Sequence, residues 1–130
     1  MTDDLLPRRV TSVLVEESRD SVTVTWGLGE PVVAPNVEYF GYGVYYYGPD
    51  GNGGKRFGVR FHDEITAHVF DNASATQANY HQSAVTVTDE SIIVHYRDAG
   101  LGLVEVGTIL AFSLVNGQDQ QVEIPVTLMR

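Results

Sequence analysis

Cysteine is missing from the sequence altogether. That excludes disulfides, thiolate zinc sites and cysteine nucleophiles together. Long apolar runs are missing too. None approaches the roughly 20 residues that carry a helix across a bilayer. The opening residues, MTDDLLPRR, place acids first and contain no apolar stretch, so they do not read as a signal peptide. As written, the chain is expected in the cytoplasm, or outside it if the N-terminus is processed. Positive charge is scarce: Lys and Arg number 8 against 17 Asp and Glu, for a net charge of −9. Phosphate backbones and anionic lipid surfaces demand a basic footprint, so no nucleic-acid or membrane partner is expected. An acidic chain remains compatible with cations or neutral ligands.

What is present describes a folded chain. Hydrophobic residues make up 43% of the 130 positions and charged residues 19%, which is globular composition. The length suits one domain. Residues 1–9 are polar and interrupted by Pro7, and they read as a flexible arm ahead of a single domain spanning 10–130.

The stretch 40–70, FGYGVYYYGPDGNGGKRFGVRFHDEITAHVF, is the densest in aromatics and organises the rest. It reads as three strands: 39–47, then 56–62 after the loop 48–55, then a strand beginning at Ile65 after the turn 62–64. The strand period of two sorts its side chains onto opposite faces. If Tyr46 faces Phe57, then Val44 faces Val59 and Tyr42 faces Phe61. The next turn aligns Phe61 with Ile65, Val59 with Ala67 and Phe57 with Val69. With Phe40, this makes one apolar face, and any slip by one residue would mix the two sets. The same register sets Tyr47 opposite Arg56, Tyr45 opposite Gly58 and Gly43 opposite Arg60 on the reverse face.

Elsewhere the alternation recurs. Residues 10–16 and 21–26 form two strands, with Val22, Val24 and Trp26 on one face and Thr23 and Thr25 on the other. Residues 27–37 carry glycines and prolines and read as an irregular connection. Residues 71–82 are rich in Ala, Ser, Asn and Gln. They read as a connection, with room for a short strand around Tyr80. Residues 83–88 and 91–96 form a hairpin across Asp89-Glu90, with Val85, Val87, Ile92 and Val94 on one face. Residues 103–115 and 121–128 form the last hairpin around Asn116-Gly117, a strong turn signal. Pro125 marks that final strand as edge or bulged. The fold expected is all-β, an antiparallel β-sandwich of jelly-roll or immunoglobulin-like type with roughly eight to ten strands.

Two stretches, GYGVYYYGPDGNGGKRFGVRF and VTVTDESIIVHYRDAGLGLVEVGTILAFSLV, resemble the β-sandwich of DOMON domains and family-9 carbohydrate-binding modules. The first resembles the family's strand, Asp/Gly-rich turn and strand; the second resembles its late hairpin, short loop and glycine-led strand. The resemblance implies a ligand-binding module, for sugars in many members and haem in some. Haem-binding members use Met and His as iron ligands, and the two methionines here are Met1 and Met129, so the resemblance implies no haem.

Once the core is assigned, Tyr39, Tyr45, Tyr47, Arg56, Arg60, His68 and Phe70 are left on the reverse face. Flat rings stack on the C–H faces of a sugar or another polar ring, and Arg and His bind its hydroxyls or carboxylates. That set predicts a non-catalytic binding module for a carbohydrate or other small polar ligand. The same set also suits a protein partner, or a homo-oligomer that buries this face between subunits. A third reading is a small metal-dependent enzyme. The loop 48–54 offers Asp50 and Asn52 as oxygen ligands, but no further carboxylate follows to complete a calcium loop of the EF-hand type. His62, His68, His81 and His95 match neither HExxH nor a His-x-His pair. No G-x-S-x-G occurs, and the acidic pairs Glu16-Glu17, Asp63-Glu64 and Asp89-Glu90 stand where turns want polar residues. We therefore expect no catalytic residue, no metal and no cofactor. Asn72-Ala73-Ser74 fits the glycosylation acceptor pattern, which has meaning only in a secreted eukaryotic chain.

Overall fold

Alternating Val, Thr and aromatic residues favour strands because branched and flat side chains pack on a pleated, half-buried surface. The computed structural model describes residues 10–18, 21–28, 40–47, 54–61, 65–72, 74–97, 108–115 and 118–129, and among these nearly everything is strand. In chain order the strands are β1 Ser12–Glu17, β2 Val22–Gly27, β3 Phe40–Tyr47, β4 Lys55–Phe61, β5 Ile65–Asp71, β6 Thr76–Tyr80, β7 Val85–Val87, β8 Ser91–Tyr96, β9 Thr108–Val115, β10 Gln118–Pro125 and β11 Thr127–Met129. A 3-10 turn, Gln82–Ala84, precedes β7. They form a five-stranded sheet, β11-β1-β2-β8-β7, and a six-stranded sheet, β10-β9-β3-β4-β5-β6. The protein is an all-β sandwich. Among the described residues no helix is long and apolar enough to cross a membrane.

The core lies between the sheets. Val13, Val15, Val22, Val24, Trp26, Ile92, Val94 and Tyr96 of the smaller sheet meet Phe40, Tyr42, Val44, Tyr46, Phe57, Val59, Phe61, Ala67 and Val69 of the larger one. Ile65 packs against this cluster while partly exposed. Among the described residues, two buried side-chain hydrogen bonds span the layers. Trp26 Nε1 donates to the Gly43 carbonyl at 3.4 Å, and the buried Tyr96 hydroxyl donates to the Gly58 carbonyl at 2.8 Å. Burial holds the Tyr42 and Tyr96 hydroxyls well above the ordinary phenol range, so both stay protonated donors.

Several expectations need correction. Among the described residues there are eleven strands, where roughly eight to ten were expected. Within 71–82, read as a connection with room for a short strand around Tyr80, residues 76–80 form the edge strand β6, which pairs with β5 from Ala67↔Tyr80 to Asp71↔Thr76. Its TQANY sequence shows little alternation because Thr76 to Asn79 are exposed and Tyr80 alone of the five packs on the core. The β4/β5 register is the predicted one, Phe61↔Ile65 through Phe57↔Val69. The β3/β4 register is offset by two residues: Tyr42 faces Val59, Val44 faces Phe57 and Tyr45 faces Arg56. A slip of two leaves every side chain on its predicted face, so the strand period cannot choose between the two pairings. The observed pairing stacks Phe40 on Phe61, with centroids 4.8 Å apart and planes 4° from parallel, and sets Gly43 opposite Gly58.

The C-terminal run is also divided. Pro125 ends β10, the outer strand of its sheet, after register shifts between Asp119 and Gln121 and between Gln121 and Ile124. Beyond Val126 the chain joins the other sheet as β11, parallel to β1. This parallel pair departs from the expected antiparallel pattern. Ile124, Val126 and Leu128 all pack on the core, so one alternating segment serves both layers. The turn at Asn116-Gly117 and the arm 1–9 lie outside the described residues.

If the Tyr96 hydroxyl ties the layers together, Tyr96→Phe should lower the unfolding free energy by about 1–2 kcal/mol, the cost of orphaning a buried partner. The exposed Val87→Ala should change it by less than about 0.5 kcal/mol. Urea titration of the variants checks this, and equal midpoints would remove the hydroxyl from the account.

Candidate functional site

Glycine within a strand weakens the strand and usually marks a close approach by another group. Gly43 and Gly58 face each other at the centre of the β3/β4 pair. A Cβ on Gly43 would run into the Phe112 ring, which reaches across from β9. A Cβ on Gly58 would lie 2.5 Å from Cε1 of His68, whose imidazole lies over it from β5. Gly41 is crowded similarly, with the Val59 carbonyl oxygen 2.7 Å from where its Cβ would be. The missing side chains leave a trough on the reverse face, and neighbouring strands furnish its sides.

The trough is a pocket of about 360 Å³. Its floor is Gly41, Gly58 and the adjoining Tyr42 and Val59, whose side chains belong to the core. One side is apolar: Tyr45, Phe112 and Leu114. Phe112 is 5% exposed although it points away from the core, and Tyr45 stacks on it with centroids 4.6 Å apart. Tyr47 extends the ladder, 6.0 Å beyond Tyr45. The other side is basic: Arg56, Arg60 and the half-buried His68. The Arg56 guanidinium lies 5.8 Å from the Phe70 ring centroid, which steadies it at the rim.

Burial first, and then the positive charges of Arg56 and Arg60, lower the His68 pKa below its ordinary value of 6.5. The imidazole is therefore neutral at pH 7, presenting one donor nitrogen and one acceptor nitrogen. Among the described residues, no Asp or Glu lines the pocket. An arrangement of this kind can hold a small ring against Phe112 and Tyr45 while Arg and His engage its polar edge.

Of the residues expected at the site, Tyr45, Arg56, Arg60 and His68 converge on this pocket. Tyr47 and Phe70 flank it through their ring contacts, and Tyr39 lies outside the described residues. The reading from sequence missed Phe112, Leu114 and the part played by the glycines. The alternation A-F-S-L in β9 carried a signal, since small Ala111 and Ser113 face the core and the bulky residues face away. Nothing local announced that β9 would lie beside β3.

The other candidates disperse. His81 caps the 3-10 turn by accepting the Ser83 N–H at 3.1 Å, and His95 Nδ1 lies 2.9 Å from Thr23 Oγ1 on the other sheet. His62 and the loop from 48 to 53 lie outside the described residues; Gly54, which follows the loop, has φ +94°. Among the described residues, no group of three or more His, Asp or Glu is placed to hold a metal ion. The chain matches no protein-family model, no curated protein and no solved structure.

The lowered His68 pKa makes stability depend on pH. Between the folded value and 6.5, the unfolded chain holds more protons than the folded one. The contribution is therefore complete above 6.5 and is lost as pH falls through the folded value. Going from about pH 7.5 to about pH 5, wild type should lose more stability in urea than His68→Gln does. Parallel losses would remove His68 from the pH response.

Proposed function

We propose that this chain is a non-catalytic binding module that takes a small polar ring, of the carbohydrate class, on the reverse face of its larger sheet. The observation that carries this reading is the glycine-floored pocket with an aromatic wall facing a basic one. Its volume of about 360 Å³ is near the lower end for small-molecule sites, which span roughly 300–1,000 Å³. Pyranose rings are amphipathic, with C–H faces that suit Phe112 and Tyr45 and an equator of hydroxyls that suits arginine and a neutral imidazole. The resemblance to DOMON and family-9 carbohydrate-binding modules points to the same ligand class. Binding here requires no nucleophile and no metal.

Titration with a panel of neutral and acidic mono- and disaccharides tests this. Trp26, the sole tryptophan, hydrogen-bonds the Gly43 carbonyl behind the trough, so its fluorescence should respond to occupancy. A saturable change is expected, weakened about tenfold or more in Tyr45→Ala, equivalent to about 1.4 kcal/mol. Thr25→Ala on the other sheet should leave it unchanged. No saturable response to any sugar overturns the reading. So does a stable dimer that Tyr47→Asp dissolves in sedimentation, because it puts this face between subunits.

A further inference from the structure

The distribution of charge narrows the ligand class. The sequence carries 17 acidic and 8 basic residues, so a surface pocket would ordinarily be bordered by carboxylates. The described lining instead includes two arginines and no acid. Arg56 and Arg60 stand on one face of β4 with Gly58 between them, so they flank the His68 imidazole that lies over that glycine. Both guanidinium groups line the same pocket as His68, and their positive field acts after burial to lower the His68 pKa. A neutral ligand makes little use of that field. An anion gains from both charges in a site shielded from water on its aromatic side.

We infer that the ligand is a sugar acid, its carboxylate held by Arg56 and Arg60 and its ring against Phe112 and Tyr45. This rests on the binding reading above and adds the charge. Carboxylate matches the planar guanidinium fork, which can take both its oxygens at once. The neutral His68 adds a hydrogen bond to a ring hydroxyl without competing for the carboxylate as a third cation. The same chemistry is offered by a free uronic acid and by a uronate residue of an acidic polysaccharide.

The test compares sugars that differ only at C6: glucuronate with glucose, and galacturonate with galactose. A short oligogalacturonate separates the free from the polymeric source, and sodium acetate supplies charge without a ring. Isothermal titration at low salt reads the affinity. At least one acid should bind about tenfold or more tighter than its neutral parent, and acetate should not compete at matched concentration. Arg56→Gln and Arg60→Gln should each abolish that preference while leaving the urea midpoint near wild type. Acid and neutral sugars binding within about twofold of each other overturn the inference and leave the binding reading standing. Binding of neither overturns both. Competition by acetate equal to that of the uronates also overturns the inference, since an anion without a ring then suffices.

Discussion

Two glycines placed opposite each other, Gly43 and Gly58, are the constraint on which the other features depend. On the inner side, their carbonyls accept hydrogen bonds that cross between the sheets, from Trp26 and Tyr96. On the outer side, their bare backbone admits Phe112 and His68, which could not lie there over any larger residue. The same two residues therefore meet the other layer through their carbonyls and leave room for the trough through their missing side chains. This also explains why the β3/β4 register matters beyond the packing of Phe40 on Phe61. A pairing offset by two residues would set Arg60 opposite Gly43 and Tyr45 opposite Gly58, and the trough would fill.

The electrostatics of the pocket follow from the same geometry. Lying flat on Gly58, the imidazole is half-buried and close enough to Arg56 and Arg60 to feel both, so it is discouraged from protonation twice over. In an acidic chain, this leaves a local positive field around a neutral hydrogen-bonding group. The aromatic ladder Tyr47–Tyr45–Phe112 shields the opposite side. On the proposed reading, charge and shape together suit a ligand with one flat apolar face and one polar or anionic edge.

The outer strands show how the sandwich keeps these faces its own. An open strand edge is a template for pairing with another chain, and proteins blunt it with polar residues, proline, bulges or short strands. In the larger sheet, β6 is exposed from Thr76 to Asn79, and β10 carries two register shifts and Pro125. In the smaller sheet, β7 and β11 have three residues each. The ligand-sized feature sits in the middle of the larger sheet, on β3, β4, β5 and β9, where each strand is held on both sides.

By itself the sequence determined the class of fold, the strands with one apolar face, and which side chains share a face. These follow from a period of two along the backbone, a local property that survives any even shift in pairing. It therefore placed Tyr45, Arg56, Arg60 and His68 together on the reverse face without knowing their partners. Strand β6 was legible only as a possible short strand around Tyr80, because its other residues are exposed and leave no alternation to read. Only the tertiary structure decided that β9 lies beside β3 and brings Phe112 over Gly43, since more than sixty residues separate them and no local pattern encodes that contact. It also decided the β3/β4 register, which sets Phe40 on Phe61 and pairs Gly43 with Gly58, whose missing side chains leave room for Phe112 and His68.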